Sequence, residues 1–177
     1  GSKHVDVTNT LEINGTNTDM NNLITISAAT SKRHFYLNNA NAKLILRYLK
    51  LVGGDVSSYS DYPDYYGGSI LIWTNGGELN LYSSIVFNNK AAGGGRISAH
   101  GDSNTNKNAI MNIYNSIIQN NEADTTNWDC KTSSNTNPNS GIYSRNDNCI
   151  ISGSGGHVEV VNTLEIIGNN EDMNHLI

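Results

Sequence analysis

The sequence predicts an all-β chain wound as a parallel β-helix, a solenoid of short strands carrying loop insertions. Three observations predict it. Apolar residues alternate at a spacing of two in short runs, as half-buried strands require. The 177 residues include 29 Asn and 17 Gly but only 2 Pro, so the chain turns often and at residues that tolerate left-handed backbone. Finally, segments recur at fixed offsets, which points to stacked units.

The first element lies in HVDVTNTLEINGTNTDMNNLI, residues 4 to 24, where Val5 and Val7, then Leu11 and Ile13, alternate with polar residues. The next is Leu44-Ile-Leu46-Arg-Tyr-Leu49-Lys-Leu51-Val-Gly-Gly54, two short strands with a corner between them and a Gly corner at the end. Leu79-Asn-Leu81-Tyr-Ser-Ser84-Ile-Val86-Phe-Asn-Asn89 has the same form. It lies 32 residues before Met111-Asn-Ile113-Tyr-Asn-Ser116-Ile-Ile118-Gln-Asn-Asn121. Alternation puts Leu44 with Leu46, Leu79 with Leu81 and Met111 with Ile113 on one side. Leu49 with Leu51, Ser84 with Val86 and Ser116 with Ile118 follow after the corner. Gly-rich starts supply a third strand per unit: GGSILIW from Gly67, GGGRIS from Gly93 and SGIYS from Ser140. Three strands and three corners make one coil, and about four or five coils fit the length. The corners Asp55 to Tyr66, Gly101 to Asn108 and Glu122 to Pro138 are then loop insertions.

The chain closes on HVEVVNTLEIIGNNEDMNHLI, residues 157 to 177, which matches residues 4 to 24 at 15 of 21 positions with an offset of 153. Residues 3–156 therefore read as one repeat unit and 157–177 as the first coil of a following repeat in a longer tandem array. A short protein with duplicated end coils is the alternative. Gly1-Ser2 reads as a scar of tag removal, with the natural N-terminus and any targeting signal cut away.

Two other architectures are open to such a composition. Polarity alone would allow disorder, but the recurring Ile/Leu/Val alternations argue against it. A Greek-key sandwich also gives short strands and frequent turns, and self-similarity separates the two. A helical reading fails on the spacing of two and on the Gly or Asn that interrupts nearly every run.

The units GGSILIWTNGGELNLYSSIVFNNKAAGGG and NAIMNIYNSIIQNNEA resemble the GGAI and FxxN repeats of polymorphic outer membrane proteins. They are similar as well to the right-handed parallel β-helix repeats of microbial surface proteins. Residues 41 to 54 and NTLEIIGNN from Asn162 look like further coils of that group. The resemblance spans most of residues 5 to 170 and implies a right-handed coil, in keeping with the right-handedness of parallel crossovers. It also implies inward apolar stacks, corner Asn side chains laddered to satisfy one another's amides, and an extracellular or cell-surface home.

Charge and composition narrow the partners. A net charge of -5 with 11 Lys+Arg spread singly gives no basic stripe for nucleic acid. No stretch approaches the roughly 20 apolar residues of a membrane span, so no membrane insertion is expected. Cys130 and Cys149 enclose a polar loop and are expected to form a disulfide that ties it down, a pair of free thiols being the alternative.

The most distinctive loop is Tyr59-Ser-Asp61-Tyr62-Pro-Asp64-Tyr65-Tyr66, preceded by Asp55, with four of the nine tyrosines. Aromatic faces stack on sugar rings, and carboxylates accept hydroxyl hydrogen bonds or ligate Ca2+. Asp55, Asp61, Tyr62, Asp64, Tyr65 and Tyr66 are thus the candidate glycan or Ca2+ residues. The plainer reading is that the tyrosines pack the loop onto the flank of the coil.

Catalysis is not expected, and neither is a resident cofactor or metal beyond Ca2+ at that loop. Asn17-Thr18-Asp19 and Gly156-His157 are fragments of polygalacturonase motifs, but no Asp-Asp pair with its flanks and no Arg-Ile-Lys follows. His4, His34 and His157 read as structural hydrogen-bonding residues rather than metal ligands. The sequon Asn14-Gly-Thr16 is lost in the second copy and reads as incidental. Function is expected to be structural or adhesive, with neighbouring repeats, surface proteins or glycans as partners and end-to-end self-association as a further option. A carbohydrate-binding or polysaccharide-acting domain using the Asp55 to Tyr66 loop is the alternative.

Overall fold

The computed structural model describes residues 4–61, 63–92, 97–100, 109–119, 121–123, 150–152 and 157–167. Sixteen strands and no helix make up the regular structure of these residues. In chain order they are β1 Val5–Val7, β2 Thr10–Asn14, β3 Ile24–Ser27, β4 Phe35–Leu37, β5 Lys43–Arg47 and β6 Leu49–Val52. Then come β7 Asp55–Val56, β8 Ile70–Ile72, β9 Gly77–Tyr82, β10 Ile85–Phe87, β11 Lys90–Ala91 and β12 Ile97–His100. The last four are β13 Ala109–Gln119, β14 Glu122–Ala123, β15 Ile150–Ser152 and β16 His157–Ile167.

Every pairing between them is parallel, and partnered residues are 25 or more positions apart in the chain. The first sheet has the order β1-β4-β8-β12-β15, and the third has the order β14-β11-β7. The second sheet bends, with β2, β5 and β9 on one half and β3, β6 and β10 on the other, and β13 running through both. Such an arrangement is a parallel β-solenoid. Three turns (β4–β7, β8–β11 and β12–β14) contribute to all three sheets, and the turns on either side contribute to the first two.

The register confirms the 32-residue repeat residue by residue. Leu79 faces Met111, Leu81 faces Ile113 and Val86 faces Ile118, each at that offset. In the turn before, Leu44, Leu46 and Leu51 face Leu79, Leu81 and Val86. These side chains form one buried core with Phe35, Leu37, Ile70 and Ile72 from the first sheet. Leu44, Leu46, Leu51, Leu79, Leu81 and Val86 have no measurable exposure, and burying each stabilises the fold by about 1.5–3 kcal/mol. Leu11 and Ile13 stand in the same columns but are only partly buried.

The bend in the second sheet needs left-handed backbone at one position per turn, and Tyr48 (φ 54), Ser83 (φ 43) and Asn115 (φ 47) supply it. Corner amides link the turns, Gly15 N–H donating to Arg47 O, Tyr48 to Tyr82 O and Ser83 to Tyr114 O. Serine hydroxyls reinforce the line, since Ser84 Oγ accepts from Leu49 N–H and Ser116 Oγ accepts from Ser84 N–H. At the next corner stands the expected amide ladder. Asn121 Oδ1 accepts from both the backbone N–H and the side-chain Nδ2 of Asn89 at 2.9 Å, and Asn89 Oδ1 accepts from Gly54 N–H.

One turn further back the ladder has no asparagine, because position 54 is glycine. His34 takes over. Asn89 Nδ2 donates to Leu51 O and Phe87 O, and His34 Nε2 lies 3.1 Å from the matching carbonyls, Ile26 O and Val52 O. Ser69 Oγ lies 3.1 Å from Nδ1, so the neutral ring carries its proton on Nε2 and accepts from the serine. His34 is therefore the structural hydrogen-bonding residue that the sequence suggested.

Two expectations need correction. Asp55–Val56 and Glu122–Ala123 are third-sheet strands, so the insertion after β7 begins at Ser57 rather than Asp55. Backbone pairing of Lys90 with Asp55 and with Glu122 holds both segments in the stack. The first-sheet strand after β12 is Ile150–Ser152, whereas SGIYS at 140–144 lies outside the described residues. The two copies of the 21-residue segment also occupy different faces. Val5–Val7 belongs to the first sheet and Thr10–Asn14 to the second, but β16 lies along β13 through both halves of the second sheet. The first copy is two strands, Val5–Val7 and Thr10–Asn14, whereas the second runs as the single strand His157–Ile167 with a register irregularity opposite Tyr114 and Ser116.

Candidate functional site

Strand alternation turns Asp6, Tyr36, Leu71 and Ser98 into one outward column on the first sheet. Leu71 is nevertheless fully buried. Its cover is the 57–66 insertion, which folds back over this sheet and packs Tyr66 against Leu71 and Trp73, with Tyr36 and Tyr65 at the margin.

The insertion is fastened at three points. Tyr59 OH donates to Ser31 O at 2.9 Å. Arg33, 2% exposed, donates from Nη2 to the backbone oxygen of Asp64. The third point is aromatic. Tyr66 lies 4.8 Å from His100 and 6.1 Å from Trp73 between ring centroids, and Trp73 lies 4.6 Å from His100. Tyr65 leans on Tyr66 at 4.4 Å and donates its hydroxyl to the Tyr66 oxygen at 3.3 Å.

Burial dominates the electrostatics. It pushes the His100 imidazole down to about 4, so the ring is neutral among its aromatic neighbours. His34 is pushed down by the same cause, and so is His4, with Arg33 adding to the effect there. Burial raises the Tyr36 phenol and lowers the Arg33 guanidinium, the latter opposed by Asp64.

The candidate residues separate in this frame. Asp55 stands in β7, where its Oδ1 accepts from Ser57 N–H at 2.9 Å and Ser57 Oγ at 2.7 Å, a local turn clasp. Asp61 is exposed, and its carbonyl accepts from Asp64 N–H. Tyr65 is half-buried and Tyr66 buried, which is the flank-packing arrangement. Tyr62, Cys130 and Cys149 lie outside the described residues. Among the described residues no three His, Cys, Asp or Glu side chains converge as ligands for a metal ion.

Four partners escaped the sequence reading: Arg33, Tyr36, Trp73 and His100. Arg33 reaches the loop by a hydrogen bond and Tyr36, Trp73 and His100 by their rings, from successive turns of the stack. One signal was present. Ile70-Leu71-Ile72-Trp73 is apolar on both faces, which marks a strand covered on both sides. No protein-family model, curated protein or solved structure matches the chain.

Proposed function

We propose that the chain is a non-catalytic scaffold segment of an extracellular or cell-surface tandem-repeat protein. Its parallel stack holds the 57–66 loop in a fixed attitude for contact with other molecules. The carrying observation is the three-point fastening of that loop through Ser31, Arg33 and the Tyr66, Trp73 and His100 rings. A loop meant only to connect strands would need no such anchorage, whereas a presenting loop loses less entropy on contact when held beforehand. The resemblance of the repeats to those of microbial surface proteins supports the location, and tandem copies would multiply weak contacts. The test is adherence to cell-surface preparations by one copy of residues 3–156 and by a three-copy fusion. Slower dissociation of the fusion supports the reading; equal and negligible retention of both counts against it.

A second reading, binding of a carbohydrate, is favoured by the half-buried Tyr65 and exposed Asp61 of one loop. Its support is chemical, since a tyrosine ring and a carboxylate suit a sugar's C–H face and hydroxyls. Glycan-array binding that disappears in a Tyr62→Ala/Tyr65→Ala double variant would establish it. Polysaccharide turnover by the purified chain would refute the non-catalytic reading.

A further inference from the structure

The first turn lacks a feature of those stacked on it. From β3 the chain runs through 28–34 straight to β4, with no third-sheet strand, since that sheet ends at β7. The register of Ser27 with Val52 sets Ala28 and Ala29 beside Gly53 and Gly54. Next to them opens a cleft of about 240 Å³ whose lining includes Val5, Ile26, Ala29, Lys32, Arg33 and Phe35.

Two consecutive cations stand on that lining, and among the described residues neither makes an ion pair. Elsewhere the pattern is the reverse, Lys43 lying 2.9 Å from Glu78 and Arg47 lying 3.4 Å from Glu12. Lys32 is half-buried. Arg33 is almost wholly buried, and its Nε and Nη1 find no hydrogen-bond acceptor while Nη2 is taken by Asp64 O. The acid whose charge acts on Arg33 is Asp64, and Asp6 is engaged by His4 at 3.1 Å. Asp64 offsets the charge of Arg33 in part, which leaves half-buried Lys32 without an acid of its own among the described residues, and an anion in the cleft supplies that balance.

We propose that this cleft is an oxyanion site, taking a carboxylate or sulfate oxygen at Lys32 within the field of Arg33. Val5, Ile26 and Phe35 supply apolar walls for the carbon frame of an acidic sugar or small organic acid. The site is separate from the Tyr65 edge of the loop and does not depend on carbohydrate binding there.

The experiment is an NMR titration of the whole chain with sodium glucuronate, sodium sulfate and, as the neutral control, glucose. Saturable shifts at the amides of Ala28, Ala29 and Phe35 are expected with glucuronate. In Lys32→Gln the affinity should fall about ten-fold or more, the usual effect of losing a hydrogen bond to a charged group. Lys32 is chosen because its side chain makes no ion pair among the described residues, so the variant keeps the described contacts of the fold. Sulfate binding as tightly as glucuronate assigns the site to simple oxyanions, and tighter glucuronate assigns it to an acidic sugar. Absence of saturation with both anions, equal binding of glucose, or an unchanged affinity in Lys32→Gln overturns the proposal.

Discussion

Asn88 and Asn89 are chemically identical neighbours, and the structure gives them opposite weights. Asn88 is exposed and holds left-handed backbone at φ 52. Asn89 is 1% exposed, accepts from Gly54 N–H at 2.8 Å, and donates from Nδ2 to Leu51 O, Phe87 O and Asn121 Oδ1. In Asn89→Ala the Gly54 N–H loses its acceptor in a buried site, and an orphaned buried polar group costs about 1–3 kcal/mol. The lost amide contacts and the space left behind add to this, for a total of about 3 kcal/mol. Asn88→Ala meets only the greater reluctance of alanine to adopt left-handed backbone, about 1 kcal/mol or less. Asn88→Gly removes that reluctance altogether. Urea unfolding followed by circular dichroism separates the cases. With a slope of about 2 kcal/mol per molar urea, Asn89→Ala should lower the midpoint by about 1.5 M and Asn88→Ala by about 0.5 M or less. Equal midpoints for the two alanine variants would refute the ladder as a source of stability.

Other expectations follow from the same geometry. His34→Ala should destabilise by about 1–3 kcal/mol through the loss of bonds to buried carbonyls, while His34→Asn should recover part of it; an equal loss in both would deny the amide-like role. Gly54→Ala should be far more damaging than Gly53→Ala in thermal unfolding. A Cβ on Gly54 would overlap Gly68 O, whereas one on Gly53 meets nothing within 4 Å and faces only a positive φ of 72. The His100 ring titrates at about 4 in the fold against 6.5 outside it, so the unfolded chain binds the extra proton between those values. Stability is therefore lost as pH falls from about 6.5 to about 4, on the order of 3 kcal/mol from this group. Unfolding measured across that range should show a flatter slope in His100→Phe, and an unchanged slope would contradict the assignment.

How much of this was legible in the sequence differs by level. Leu79 with Met111 and Val86 with Ile118 could be paired directly, because stacked turns repeat their own inward pattern and the offset in the chain is the register. The asparagine ladder was legible for the same reason, but not which of two adjacent asparagines points inward. That depends on a single left-handed residue at Asn88. Asp55–Val56 read as loop because two-residue strands carry no period, and only pairing with Lys90–Ala91 defines them. The loop tyrosines were found by composition. Their partners were not, since Trp73 and His100 come from successive turns and meet only once the register is set. His34 was legible as structural, while its substitution for a missing asparagine needed the positions of Ile26 O and Val52 O.

The central claim is that the turns stack in parallel and hold the loop on the first sheet. Methyl-to-methyl NMR contacts test it most directly, because an antiparallel sandwich would reverse the order of partners along each strand. The stack predicts contacts of Leu79 with Leu44 and Met111, and of Leu81 with Leu46 and Ile113, with Val86 touching both Leu51 and Ile118. Crossed contacts, Leu44 with Leu81 and Leu46 with Leu79 in place of these, would contradict the parallel solenoid and the account built on it.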